Sequence, residues 1–311
     1  MASTETKADA SAAAGAGAGG NGGAGKPAAA DLAGLEAGLD ALDARTTTRP
    51  PIGQVLRRKV VPPVIAVVLV LGLWQLAFAL ELKEPYQLPG PLMVWDALAE
   101  EWYKGTILSI IWQSVSRGAL GFAVALVLGT LLGLLVAKVK TVRAAIGPIL
   151  SGLQSLPSVA WVPAAIIWFG LTDATIYAVV LLGAVPSIAN GLVAGVDQIQ
   201  PLHLRAGRVI GATGLRGVRH VLLPGALPGY IAGLKQGWAF SWRSLMAAEI
   251  IAPSPDLGIG LGALLEYGRN ASSMAMVFEA ILLILFVGIA IELLIFSPLE
   301  RRVLRGRGLL V

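Results

Sequence analysis

The long apolar segment 226–252 carries ionisable side chains, and these are the groups of this chain best suited to act on a charged solute. At about 100° per residue, one face of the predicted helix collects large or ionisable residues: Lys235, Trp238, Trp242, Met246 and Glu249. Arg243 lies on the flank of the same face. Since a charge inside a bilayer costs at least about 2.5–3.5 kcal/mol, these groups need partners or water. We interpret this face as the border of a route for a solute, in which Lys235 and Arg243 favour an anion.

A second interpretation treats the same charges as structural. Lys235 would then extend toward the cytoplasmic interface, and Arg243 and Glu249 toward the outer one. Lys235 and Glu249 are separated by about 21 Å along the helix axis, which excludes a direct pair within the helix. If either group is paired, its partner therefore lies on another helix or on another subunit.

Small residues occupy the opposite side of this predicted helix. Glycine recurs every four residues at its start, at Gly225, Gly229, Gly233 and Gly237. Glycines at this spacing let the backbone of a second helix approach closely. We therefore predict that this side packs against a neighbouring helix.

Six segments are apolar and long enough to cross a bilayer, whose core of about 30 Å requires roughly 20 helical residues. They are 60–80, 109–136, 147–170, 174–195, 226–252 and 276–297. Basic residues cluster before the first segment and after the second, fourth and sixth, whereas the alternate loops are mainly acidic. The positive-inside rule places both termini and the loop 196–225 in the cytoplasm. The sequence thus predicts an all-α polytopic membrane protein with six transmembrane helices.

Prolines interrupt the third of these segments. Pro157 and Pro163 flank Trp161 there. Proline at membrane depth leaves backbone carbonyls that neighbouring helices or a water-filled cavity must satisfy. The three residues either form a packing kink or belong to the solute route, and the sequence leaves both interpretations open.

Composition argues against enzymatic functions. The 311 residues are 56% hydrophobic and 14% charged and include no cysteine, whereas soluble domains carry roughly 25% charged residues. The two histidines, His203 and His220, lie in the cytoplasmic loop without the spacing of metal ligands, and no nucleophilic serine motif occurs. The net charge of +5 comes from basic residues beside the spans, which are topology signals. We expect no catalytic residue, no metal site and no binding of nucleic acid.

The first 50 residues are rich in alanine and glycine and lack hydrophobic periodicity, so a disordered cytoplasmic tail is predicted. Residues 20–26 imitate a phosphate-binding loop, but Pro27 occupies the position of the hydroxyl that would reach magnesium. No cofactor is therefore expected on this chain. Leucines at helical spacing from Leu32 to Leu42 predict a short acidic amphipathic helix of open role. The predicted domains that follow are 51–107 (first span and outer loop), 108–300 (transmembrane domain) and 301–311 (basic cytoplasmic tail).

The cytoplasmic loop carries a spaced motif of eight residues. They are Leu204, Arg205, Ala206, Gly207, Gly211, Val221, Leu223 and Pro224. Their spacing resembles the Glu-Ala-Ala loop of the permease subunits of ABC importers, in which a glycine follows after three residues and a Leu-Pro ending after a further nine. Arg205 stands where that pattern has glutamate, and Gly207 stands where it has the second alanine.

From about Leu108 onward the chain resembles the transmembrane subunit of type I ABC importers, in the branch for nitrate, sulfonates and taurine. The prolines and tryptophans of the third span and the Ala247-Ala-Glu249 run recur in that branch. The resemblance implies a helical core that forms a homodimer in membrane lipid, two cytoplasmic ATPase subunits that bind ATP and magnesium, and an extracytoplasmic solute-binding protein. It also implies that residues 203–224 form a coupling helix seated in a groove of each ATPase.

Within this resemblance, an aliphatic sulfonate is the first choice of substrate. Taurine, nitrate and a pyrimidine-like vitamin precursor are the alternatives, because much of the selectivity of type I importers resides in the separate binding protein. Two other classes of function stay open at this point: an ATPase-independent channel and a membrane scaffold.

Overall fold

The computed structural model describes residues 57, 60–252 and 258–306, and within these ranges it contains helices and no strand. The α-helices are, in order, α1 (Val61–Ala79), α2 (Pro91–Tyr103), α3 (Ile107–Lys138), α4 (Lys140–Ser155), α5 (Val162–Phe169), α6 (Asp173–Asp197), α7 (Pro201–Val209), α8 (Gly214–Gly217), α9 (Leu223–Ile251), α10 (Leu261–Asn270), α11 (Met274–Ile291) and α12 (Ser297–Arg305). The predicted all-α fold class is confirmed over these residues.

Some predicted features lie outside the described residues. These are the tail 1–50, the amphipathic helix from Leu32 to Leu42 and the end of the basic tail, 307–311. Contacts divide the chain into residues 1–67 and residues 68–311. The packing that positions the functional residues belongs entirely to the second of these units.

Within the part of the chain that the structure describes, four helical runs are long and apolar enough to cross a membrane: Val61–Ala79, Ile107–Lys138, Asp173–Asp197 and Met274–Arg305. A fifth is counted if α4 and the segment Ser158–Phe169, which meet at a bend of 101°, form one broken span. With 29 residues α9 is long enough to cross as well. Its glycines and ionisable side chains, however, make it too polar to be counted among the apolar spans. The number six therefore stays a prediction, in which α9 supplies the remaining span.

The predicted third span, 147–170, is not one straight helix. α4 ends at Ser155, and Leu156 and Pro157 adopt extended backbone angles. A 3-10 turn, Ser158–Trp161, then leads into α5. A proline ring excludes the helical conformation from the residue before it, so the helix ends just ahead of Pro157.

Side-chain hydrogen bonds fasten the broken end of α4 to α6. Gln154 Nε2 donates to Ser187 Oγ at 2.8 Å. Asn190 Nδ2 donates to Gln154 Oε1 at 2.7 Å. Buried amide and hydroxyl groups need such partners because they have left water. The break is therefore held in place by α6 and is not a loose joint.

The closest helix contact is between α6 and α9, and glycines make it possible. A Cβ atom on Gly233 would lie 2.5 Å from Gly191 Cα, and one on Gly229 would lie 2.6 Å from Gly195 Cα. One turn further on, a Cβ on Gly237 would lie 2.7 Å from Ile188 Cγ1. Side chains larger than hydrogen do not fit at these distances, so the glycine side of α9 faces α6 directly.

Aromatic residues cover a second side of α9. The ring of Trp238 lies edge-on to Phe122 at 5.3 Å between centroids and stacks on Trp242 at 6.1 Å. Phe296 lies 6.0 Å from Trp238. Such pairs contribute about 0.5–1.5 kcal/mol each beyond the area they bury. They attach α9 to α3 and to the end of the last span.

Two π-helical segments precede prolines. Val218–Leu222 lies ahead of Pro224, and Glu292–Phe296 lies ahead of Pro298. Proline lacks an N–H and collides with the carbonyl four residues before it. The wider π turn removes this collision by bonding each N–H to the carbonyl five residues back. As a result, residues 214–251 form one continuous helical run, and the predicted loop 196–225 is largely helical.

We expect Gly233→Leu to destabilise the protein by about 1–3 kcal/mol or more, because overpacking forces α6 and α9 apart. Gly72→Leu is the matched control, since a Cβ at Gly72 in α1 meets nothing within 4 Å. Thermal unfolding of the purified protein in detergent measures the difference. Equal melting temperatures for the two variants would contradict the assigned α6–α9 contact.

Candidate functional site

The helix α7 and the residues that follow it expose apolar side chains. We call residues 201–222 the coupling segment. Leu202, Val209, Ile210 and Leu215 are exposed there by 69%, 87%, 82% and 83%. Arginines surround them: Arg205, Arg208, Arg216 and Arg219 are all exposed. Exposed apolar residues with a polar rim are typical of a surface that another protein covers.

Gly211 ends α7 through its backbone conformation. Its φ is +80°, in the left-handed region, and a Cβ atom there would meet nothing within 4 Å. The Gly211 N–H donates to the Arg208 carbonyl at 3.1 Å, and the Ala212 N–H donates to the Gly207 carbonyl at 2.9 Å. These two bonds form the Schellman cap of a helix C-terminus. Position 211 therefore needs a residue that tolerates the left-handed angle, as glycine does, and the need does not arise from lack of space.

Gly207, one of the two departures from the family pattern, contacts the π-helical segment. A Cβ atom there would lie 2.8 Å from Val221 Cγ2. α7 thus lies against the helical run that leads into α9, and the branched side chain of Val221 occupies the space that an alanine at 207 would need.

The other departure from the family pattern, Arg205, is exposed. Of the remaining motif residues, Ala206 and Pro224 are exposed, while Leu204 and Leu223 are half-buried.

Lys235 is neutralised within the chain. Its Nζ lies 2.6 Å from Glu292 Oε1 and 3.4 Å from Glu300 Oε2, both on the last helical run. The Lys235 side chain is about 39% exposed. Its positive charge is therefore balanced by two carboxylates of the same chain and is not free to bind an anionic solute.

Glu249 is fully buried and accepts four contacts. Ser114 Oγ donates to both of its carboxylate oxygens, at 3.0 and 2.8 Å. Arg117 Nη1 lies 3.2 Å from Oε1, and the Gly262 N–H donates to Oε2 at 3.0 Å. On its other side, Arg117 Nε lies 3.2 Å from Asp173 Oδ1. Breaking such a pair on one side leaves an uncompensated buried charge, which costs about 3–5 kcal/mol.

A third side of α9 is open. The exposed residues recur at helical spacing: Ala232, Gln236, Ala239 and Arg243. We call this set the open stripe. Arg243 Nε donates to the carbonyl of Ala239, and its guanidinium lies 4.7 Å from the centre of the Phe240 ring. Among the described residues no carboxylate pairs with Arg243.

The face expected from helical periodicity therefore differs from the exposed one. Trp238, Trp242 and Met246 are buried within the chain, at 8%, 8% and 6% exposure. Only Arg243, which the sequence placed on the flank, lies on the open stripe. Helical periodicity separates the faces of a helix correctly, but it does not tell which face the other helices cover.

The break in the third span lies beside the open stripe. Trp161 and Phe240 line one narrow crevice together, and the Phe240 ring also carries the Arg243 guanidinium. Pro157 and Pro163 are exposed on the same broken segment, while Trp161 is half-buried. The structure thus brings the proline-interrupted segment and Arg243 to one region.

Sequence reasoning missed the partners of the intramembrane charges. These are Ser114, Arg117, Asp173, Glu292 and Glu300. Arg117 and Glu292 could have been found by the rule that singled out Lys235, since each is an ionisable residue inside a predicted span. Their pairing could not be read from the sequence, because 132 positions separate Arg117 from Glu249. Among the described residues, no cluster of histidine or carboxylate side chains is arranged to hold a metal ion.

Comparison with known proteins identifies the architecture. Residues 105–304 match the family described as binding-protein-dependent transport system inner membrane component. The chain belongs to this family. The resemblance drawn from the loop motif is thereby confirmed, and the chain is an inner-membrane permease component of an ABC importer, which acts with an ABC ATPase and a solute-binding protein.

Curated relatives cover most of the permease. It is 28% identical over 258 residues to the taurine transport system permease protein of Escherichia coli (strain K12), covering 81% of this chain and 92% of the relative. It is also 28% identical over 249 residues to a nitrate import permease protein of Leptolyngbya laminosa, covering 78% and 88%. A putative aliphatic sulfonates transport permease protein of Bacillus subtilis (strain 168) is 26% identical over 239 residues, covering 77% and 85%.

A solved structure shares the fold of the permease. It is described as the crystal structure of an amino acid ABC transporter with histidines. The TM-score is 0.52 at 16% identity, over 66% of this chain and 97% of that chain. At this identity the match supports the helical architecture alone.

Gly211→Val should abolish coupled transport by the permease, because a β-branched residue does not tolerate the left-handed angle that ends α7. Gly211→Asn is the matched control, since asparagine adopts this angle readily and the space at 211 is open. We expect ATPase co-purification to fall at least tenfold for the valine variant and less than twofold for the asparagine variant. Equal co-purification would mean that the cap of α7 does not position the coupling segment.

Proposed function

We propose that the permease conducts a small oxyanion through the bacterial plasma membrane, along a route that passes Arg243. In this proposal two copies of the chain form the transmembrane core, and the coupling segment of each copy seats in a groove of one ATPase. The observation that carries the proposal is the pairing of charges on α9. Of its three charged side chains, Lys235 and Glu249 are paired within the chain, whereas Arg243 is exposed without an acidic partner among the described residues.

An arginine exposed at membrane depth is costly toward lipid and favourable toward water. Arg243 is eight residues from the end of α9 at Ile251, which is about 12 Å along the axis, so it lies well inside the span. The residues next to it on the open stripe, Ala239 and Gln236, are small or polar. This composition supports a water-filled route along the stripe rather than a contact with acyl chains.

The chemistry of the guanidinium supports an oxyanion as the solute. Its planar fork of donors matches the paired oxygens of a carboxylate, and the same fork matches the oxygens of sulfonate, nitrate or bicarbonate. The relatives are named for taurine, nitrate and aliphatic sulfonates, all of which carry such a group. An aliphatic sulfonate is our first choice, with taurine and nitrate next. A pyrimidine-like vitamin precursor lacks the charge and fits Arg243 less well.

The open stripe also supports the homodimer. The described helices leave the stripe exposed, so a second copy could place its own stripe on the opposite side and complete the wall of the route. The positive-inside rule gives the orientation: the arginine-rich coupling segment is cytoplasmic, as are both termini, and α10 between α9 and α11 is extracytoplasmic. The domain boundaries proposed from composition, at 50 and 107, follow the same scheme.

Uptake in proteoliposomes that contain the permease, its ATPase and its binding protein tests the role of Arg243. We expect Arg243→Gln to lower the maximal uptake rate of a sulfonate at least tenfold, because the route loses its cation. Arg243→Lys should retain more, since the charge remains without the fork. Lys235→Gln is the control and should change the rate less than twofold, because that charge is already neutralised by Glu292 and Glu300.

Three outcomes would overturn this proposal. Uptake by Arg243→Gln at the full rate would remove the arginine from the route. Ion conduction by the permease without its ATPase would make it a channel, and normal uptake after loss of every intramembrane charge would favour a scaffold.

Single cysteines test which side of α9 faces water, in a chain that has no native cysteine. Ala239→Cys should react with a small water-soluble thiol reagent, and the rate should change when the ATPases are trapped with ATP. Ala248→Cys is the matched control on the same helix, where the native side chain is fully buried, and it should react at least tenfold more slowly. Faster labelling at 248 than at 239 would mean that α9 is rotated in the assembled transporter.

A further inference from the structure

The helix α10 begins without a cap of its own. Its N-cap residue, Gly260, has no side chain to accept a hydrogen bond, and the first backbone N–H groups of a helix have no partner inside it. Residues from two other helices take over this role. Ser114 Oγ on α3 accepts the Leu261 N–H at 2.8 Å, and Glu249 Oε2 on α9 accepts the Gly262 N–H at 3.0 Å.

The fit around Glu249 is tight enough to specify the residues of α10. A Cβ atom on Gly260 would lie 2.5 Å from Glu249 Oε1, and one on Gly262 would lie 2.6 Å from Glu249 Cβ. Neither the backbone of α10 nor the carboxylate can shift far without a clash or a lost bond. The negative charge of Glu249 is also well placed toward the positive end of the α10 dipole.

The same carboxylate connects α10 to the rest of the bundle. Through Arg117 it reaches α3, and through Asp173, 3.2 Å from Arg117 Nε, it reaches the first residue of α6. Leu261, Ala263 and Leu264 of α10 are buried, whereas Tyr267 and Arg269 remain exposed. α10 therefore has one side embedded over the Glu249 carboxylate and another side available to a partner.

We propose that Glu249 is a positioning residue that holds α10 against α9. When the solute-binding protein displaces α10, the span that carries Arg243 moves with it. The inference rests on the orientation in the proposed function, which puts α10 on the extracytoplasmic side. Its essential interactions are the hydrogen bonds from Gly262 and Ser114, which need an acceptor at 249. The ion pair with Arg117 compensates the charge of that acceptor.

Two substitutions separate these roles. Glu249→Gln keeps the shape and one acceptor oxygen but loses the charge, whereas Glu249→Leu removes the acceptor as well. In both variants Arg117 retains Asp173 as a counter-charge. A residue that served only as an ion-pair partner would give the same result with glutamine and with leucine.

The first readout does not depend on transport. A spin label on Arg269→Cys, at the exposed end of α10, reports the mobility of that helix in nanodiscs containing the permease. We expect the rotational correlation time to fall at least twofold with Glu249→Leu and to change little with Glu249→Gln. Lys235→Leu, which removes an ion pair on the last helical run, is the control and should leave the label unaffected. An immobile label in Glu249→Leu would overturn the proposal.

The second readout measures transmission. In the complex with its ATPase, the concentration of liganded binding protein that half-saturates ATPase stimulation should rise about tenfold with Glu249→Leu and less than twofold with Glu249→Gln, at an unchanged basal rate. If the half-saturating concentration is unchanged in the leucine variant, Glu249 holds α10 in place but transmits nothing to α9. That result would overturn the transmission part of the proposal. Absence of stimulation in the unmodified complex would instead count against the proposed function, while the spin-label result would stand on its own.

If Glu249→Leu does not fold, Ser114→Ala provides the same test. It removes the cap of Leu261 and both contacts of the Ser114 hydroxyl with Glu249 but leaves the ion pair intact. We expect the label to be more mobile than in the unmodified chain, but less mobile than if α10 lost both of its capping acceptors. A label as immobile as in the unmodified chain would overturn the proposal in this variant also.

Discussion

The rest of the bundle depends on the contact of α6 with α9, where backbone meets backbone. Gly191 and Gly195 of α6 face Gly233 and Gly229 of α9 at distances that exclude any side chain. A contact of this kind fixes the rotation of α9 as well as its position, because only the glycine side can approach so closely. Once that side is committed to α6, the tryptophans of α9 point into the core formed with Phe122 and Phe296. The open stripe is what remains.

Charge compensation follows from this rotation. Lys235 is brought to the carboxylates of the last helical run, Glu249 to Arg117 and Ser114, and Arg243 to a side that the described helices leave exposed. An uncompensated ion in hydrocarbon is expensive, so each paired charge also restricts where its helix can lie. Arg243 is then the one charged side chain of α9 for which the described residues provide no acidic partner, and for this reason the proposed route passes it.

Proline interrupts or widens the helices at three positions, through its ring and its missing N–H. At Pro157 the helix stops and the chain turns by 101°, with Gln154 held by α6. At Pro224 and Pro298 the helix continues because a π turn absorbs the collision. Residues 214–222 are consequently joined to α9 by continuous helix, and α7 lies against this run where Gly207 meets Val221. In the proposed function, motion of α7 against an ATPase would reach Arg243 through that contact.

The sequence by itself determined the class of the protein and the places where its chemistry would be found. Apolar segments of sufficient length, the alternation of basic loops and the spacing from Ala206 to Pro224 were enough for an all-helical permease, because these features follow from the thickness of the bilayer and from local backbone requirements. Periodicity also separated the glycine side of α9 from its aromatic side. Only the tertiary structure decided which side of α9 stays exposed and which charged side chain of α9 has no acidic partner among the described residues. Those properties depend on Arg117, Glu292 and Gly191, residues far away along the chain, and the energy of a buried charge is set by its neighbours in space rather than by its neighbours in sequence.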